Sequence, residues 1–129
     1  MHVLVVEDDL DTRALLEHAL KKEGHEVSQA LDVSDALRLS HIHPDIDVVV
    51  MDMHHRCQPS IVELAQEMRR RLRNGQYVLA SGDWDKLERT CQDDTTVLRK
   101  PYGKHELLRA IGYCMTRLGL PDTRKRCRN

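Results

Sequence analysis

The chain has 129 residues, 40% of them hydrophobic and 32% charged, with 20 Lys and Arg against 21 Asp and Glu and a formal net charge of −1. That length suits one domain with a sizeable core, and the near-neutral balance gives no global attraction to nucleic acid or to an anionic membrane. No apolar run approaches the roughly 18 residues of a membrane span, no signal peptide opens the chain, and with Phe absent and a single Trp the core is expected to be aliphatic.

The first element is a strand, His2 to Val6, whose apolar run stops at Glu7-Asp8-Asp9. Leu10, Ala14, Leu16, Ala19 and Leu20 then recur at helical spacing up to Glu23, and Gly24 supplies a left-handed terminator. A weak strand centred on Val27 follows. Asp32 or Ser34 caps a short helix containing Ala36, Leu37 and Leu39, which His43-Pro44 ends. The run 47–52, Asp47-Val48-Val49-Val50-Met51-Asp52, reads as a strand buried on both faces and closed by a carboxylate.

Pro59 suits a first helical turn, and Ile61, Leu64, Ala65, Met68 and Leu72 carry that helix to Asn74-Gly75. Tyr77 to Ala80 is a further buried strand ending at Ser81-Gly82. Trp84, Leu87 and Cys91 mark a short helix over 83–91, and Thr96-Val97-Leu98 a last brief strand before Lys100-Pro101-Tyr102. Leu107, Leu108, Ile111, Cys114, Met115 and Leu118 line the final helix, which Gly119 and Pro121 close. Cys57, Cys91, Cys114 and Cys127 form no CxxC pair and are read as reduced cytosolic thiols.

Strands alternate with helical patterns five times, the signature of an α/β fold with a parallel sheet covered on both faces. The polar residues of interest all fall at the carboxyl ends of strands, where open α/β sheets bind ligands. Glu7, Asp8 and Asp52 would repel one another there unless protonated or neutralised by a cation.

The order of acidic pair, lone Asp, Ser with a small residue and then Lys-Pro resembles the receiver domain of bacterial two-component response regulators over residues 2 to about 118. The resemblance implies the flavodoxin-like receiver fold, a doubly wound five-stranded parallel sheet of order 2-1-3-4-5. It implies that Asp52 accepts a phosphoryl group from a histidine kinase or phosphotransfer protein. Glu7, Asp8, Asp52 and the backbone carbonyl of His54 would hold Mg²⁺. Ser81, Lys100 and the backbone amides of Met53 and Gly82 would face the phosphoryl oxygens. Phosphoryl transfer needs positioning and charge neutralisation more than covalent help, and a carboxylate nucleophile with oxygen-liganded Mg²⁺ suits it.

The expected organisation is a receiver over 1–120 and a polar, basic, flexible tail over 121–129. If the chain is complete, no room remains for an output domain. The expected setting is cytoplasmic. The expected partners are the phosphodonor protein and a downstream protein, with no membrane, little call for nucleic acid and a dimer left open. Self-catalysed phosphorylation and dephosphorylation would be the only chemistry.

The sequence departs from the family pattern in three places. Pro59 is displaced from the acceptor loop, Val97 stands where an aromatic ring usually reports phosphorylation, and the segment between Ser81 and Lys100 is short. The response to phosphorylation is therefore expected in 82–94, with Trp84 taking part. The alternatives are a receiver cut from a hybrid kinase or longer regulator, a pseudo-receiver that binds protein without phosphate, and a haloacid-dehalogenase-like phosphatase. The phosphatase family wants a second acid where His54 stands. His41, His43, His54 and His55 also invite a transition-metal reading.

Overall fold

A computed structural model describes residues 1–52, 60–72, 74–82 and 92–120. Five strands, β1 (His2–Val6), β2 (Glu26–Ala30), β3 (Val48–Asp52), β4 (Gln76–Ser81) and β5 (Thr95–Arg99), form one sheet. Four described helices alternate with them: α1 (Leu10–Lys22), α2 (Val33–Ile42), α3 (Ser60–Arg71) and α4 (Lys104–Arg117). The sheet order is β2-β1-β3-β4-β5 and every pairing is parallel. This is the doubly wound order that the resemblance implies. Pro59, the helix expected over 83–91, Trp84 and the tail from 121 lie outside the described residues.

Period-two alternation sorts the strand side chains into two cores. Val3, Val5, Val48, Val50, Val78 and Ala80 face α1 and α4, where they meet Leu16, Leu20, Leu107 and Ile111. Leu4, Val6, Val49, Met51, Tyr77 and Leu79 face α2 and α3, where they meet Ala36, Leu64 and Met68. Burial on both faces explains why β1, β3 and β4 read as unbroken apolar runs. β2 lies at the sheet edge and is only partly buried, which explains its weak signal. No helix among the described residues is long and apolar enough to cross a membrane.

Helix ends follow local chemistry. The Asp9 carboxylate accepts from the Thr12 N–H at 2.9 Å and from the Thr12 hydroxyl at 2.6 Å, so this acid caps α1. Asp32 rather than Ser34 caps α2, accepting from the Asp35 N–H at 2.8 Å. Gly24 adopts φ +88 and Gly119 φ +74, the left-handed values that favour glycine after a helix.

One helical face differs from the expectation. Leu10 and Ala14 are exposed, and Arg13 turns inward with Leu16, Ala19 and Leu20. The Arg13 stem packs inside while its guanidinium donates to the Glu7 carbonyl at 3.2 Å and to Gln29 Oε1 at 3.0 Å. Those two acceptors satisfy the buried charge, so an arginine takes a position on the inward stripe.

Candidate functional site

Register brings the strand-end residues to one edge. Val6 pairs with Met51, so Glu7 and Asp52, the residues that follow them, stand level on neighbouring strands. Asp52 pairs with Ala80, which puts Ser81 one step further along β4. Ser81 pairs with Arg99, and its carbonyl accepts from the Lys100 N–H at 3.0 Å. Four residues that are remote in sequence thus share the carboxyl edge of the sheet.

Their environments differ. Glu7 and Asp52 are 2% and 5% exposed and Ser81 is buried, whereas Asp8 sits on the open rim. The Lys100 ammonium contacts the Asp52 carboxylate, with the lysine side chain 28% exposed. A buried carboxylate needs such a partner, because isolated charge is costly inside a protein. The Glu7 carboxylate accepts from the Asp9 N–H at 3.0 Å, and the Arg13 bond to the Glu7 carbonyl fixes the same turn. Gly82 is exposed, and a Cβ there would meet nothing within 4 Å among the described residues. Met53 and His54 lie outside the described residues.

A cleft of about 740 Å³ opens beside this edge, lined by Thr12, Leu15, Leu16 and His18 of α1, by Asp52, and by Lys100 to Lys104. Tyr102, which the sequence reading passed over, lines it. Burial first, and then the charges of Asp52 and Glu7, push the Tyr102 phenol up to about 12. Tyr77 is also pushed up to about 12, by burial and then by Asp94, while Arg69 over its ring opposes the shift.

These two phenols give a pH expectation. The unfolded chain releases their protons near pH 10, whereas the folded chain holds them until about 12. Their contribution to stability is therefore complete below pH 10 and is lost as the pH rises from about 10 to about 12. A pH-jump absorbance titration of phenolate should place two of the three tyrosines near 12. Full ionisation of all three near pH 10 in protein that is still folded would contradict the burial described.

No family model matches the chain. Over 109 residues it is 33% identical to an uncharacterized transcriptional regulatory protein, YrkP, of Bacillus subtilis (strain 168). That match covers 81% of this chain and 45% of the relative, so the chain spans about half the length of the curated protein it matches. Solved structures resemble it over nearly their whole length. A response regulator receiver domain protein from Clostridium thermocellum superposes with a TM-score of 0.81 at 24% identity, covering 92% of this chain and 96% of that one. A response regulator receiver protein from Sinorhizobium medicae WSM419 gives 0.81 at 20%, covering 90% and 94%. The receiver domain of the hybrid histidine kinase CckA gives 0.72 at 24%, covering 89% and 99%. The chain has the fold of the response regulator receiver domains, with Asp52 and Lys100 in contact at the carboxyl edge of its sheet.

Proposed function

We propose that this chain is a phosphoacceptor receiver of a two-component relay, with residues 1–120 as the receiver unit and Asp52 as the residue that is phosphorylated. The observation that carries the reading is the contact between the Lys100 ammonium and the buried Asp52 carboxylate, level with buried Glu7 and one step from Ser81. A surface ion pair has no need of a second buried carboxylate beside it. A centre that receives a phosphoryl group needs concentrated oxygen donors and a nearby cation.

In the proposed reaction an Asp52 oxygen attacks phosphorus as the bond to the donor's nitrogen or oxygen breaks, leaving an acyl phosphate. Lys100 supplies a point charge to the phosphoryl oxygens as negative charge gathers there. The Ser81 hydroxyl can donate to one of those oxygens, and Gly82, which has no side chain, crowds the group least. The carboxylates of Glu7, Asp8 and Asp52 are hard oxygen donors of the kind that Mg²⁺ takes, and they would hold it there. When bound, Mg²⁺ neutralises the developing charge. The donor, a histidine kinase or phosphotransfer protein of the cytoplasm, would approach at the cleft between α1 and the Lys100–Lys104 segment, which Asp52 lines. The chain would act as a signalling module that speeds only its own modification and its reversal.

Incubation with acetyl phosphate is expected to add one phosphoryl group, seen as intact mass, when Mg²⁺ is present and not when it is chelated. Lys100→Met should slow that gain by about a hundredfold, the scale of losing one charged group aimed at the transferring oxygens. A wild-type mass that stays unchanged with acetyl phosphate and with kinase donors would favour the pseudo-receiver reading instead.

A further inference from the structure

Among the described residues, a histidine group that the phosphoryl chemistry does not use lies at the opposite edge of the sheet. The sequence offers His41 and His43 together, but the structure separates them: His41 is exposed on α2, whereas His43 caps the end of that helix, its N–H bonded to the Leu39 carbonyl at 2.8 Å. There it meets His2 at the start of β1. The two rings stand edge to face, with centroids 5.2 Å apart and planes at 71°. Asp45, in the turn that leads into β3, brings Oδ2 to 2.9 Å from His2 Nδ1.

We propose that His2, His43 and Asp45 form a site for a divalent transition-metal ion, of which Zn²⁺ is the representative. One ligand atom from each of the three lies within 4.8 Å of the other two. Two imidazoles and a carboxylate make a donor set that suits Zn²⁺ and leaves a fourth position for water. Mg²⁺, which favours oxygen, is a poor fit to this set.

The surroundings hold the His2 ring in place. His2 is 3% exposed, and its backbone is clamped on both sides: its N–H donates to Asp47 Oδ2 at 2.9 Å, and its carbonyl accepts from the Asp47 N–H at 2.8 Å. Its other ring nitrogen, Nε2, lies 2.7 Å from the Ser28 hydroxyl. A metal-binding histidine commonly has such a partner on its far nitrogen. A hydroxyl serves both states of the ring, because it both donates and accepts. With Nδ1–H donating to Asp45, the Ser28 hydroxyl donates to Nε2. With the proton moved to Nε2, the hydroxyl accepts it and Nδ1 offers its lone pair to the ion. Bound metal would tie the end of α2 and the α2–β3 turn to the first strand, far from Asp52.

The test is a Zn²⁺ titration of the metal-stripped 129-residue chain, with Mg²⁺ in excess, followed by calorimetry and by the ¹⁵N shifts of the imidazole rings. The expected result is one-to-one binding in the micromolar range or tighter, with shifts at His2 and His43. Asp45→Asn, which keeps side-chain volume and a hydrogen-bond acceptor for His2, should weaken binding by roughly tenfold or more, and so should His43→Gln. A His54→Ala/His55→Ala variant should bind like wild type. The proposal is overturned by absence of saturable binding, by ring shifts confined to His54 and His55, or by unchanged affinity in both Asp45→Asn and His43→Gln.

Discussion

Asp52→Asn is expected to take up no phosphoryl group from any donor while still folding. The amide keeps the shape of the side chain at the end of β3, but it has no carboxylate oxygen to attack phosphorus. The substitution removes one of two level, buried acids and also the partner of Lys100. These effects on stability have opposite signs: loss of repulsion from Glu7 stabilises, and loss of the ion pair destabilises. Lys100 reaches water at 28% exposure, so its ammonium is not stranded when the carboxylate goes. A melting midpoint near that of wild type, together with complete loss of labelling, separates a chemical defect from a folding defect. A variant that still labels would move the acceptor elsewhere.

The second large effect is on stability. Leu4→Ala is expected to cost about 3 kcal/mol, because Leu4 is fully buried in a central strand between β2 and β3 and packs in the core beneath α2 and α3. Close packing on that face leaves little freedom to collapse into the space. Urea unfolding should show a lower midpoint with an unchanged slope. Leu15→Ala, at a leucine 71% exposed on the rim of the cleft, should stay within about 0.5 kcal/mol of wild type. A cost at Leu15 as large as that at Leu4 would contradict the outward placement of Leu15 on α1.

How much of this could be read from the residues depends on whether the signal is local. The sheet was legible because β1, β3 and β4 are buried on both faces and therefore read as apolar runs that stop at a polar residue. Asp52 and Ser81 stood out because each ends such a run, and Lys100 because it follows the last short strand as Lys-Pro. The strand order came from the resemblance, since spacing alone does not rank parallel strands.

The misses share a physical cause. The inward position of Arg13 follows from two acceptors, one of them in β2, that no local pattern shows. With that stripe occupied by Arg13, Leu16 and Leu20, Leu10 and Ala14 turn outward although they are apolar. Asp9, which adjoins the acidic pair in sequence, serves instead as the cap of α1. Tyr102 joins the cleft only because the chain turns after Lys100 towards α1. The His2–Asp45 pair spans 43 residues and exists only once β1 lies beside β3.

The central claim is that Asp52 itself becomes an acyl phosphate, and borohydride trapping tests it most directly. Borohydride reduces an aspartyl phosphate to homoserine, which peptide mass analysis locates to a single residue. After treatment with acetyl phosphate and Mg²⁺, homoserine is expected at position 52 and nowhere else, and it should disappear when Mg²⁺ is chelated. Homoserine at Asp8 or another acid, or a retained phosphoryl mass that borohydride leaves unchanged, would contradict the account.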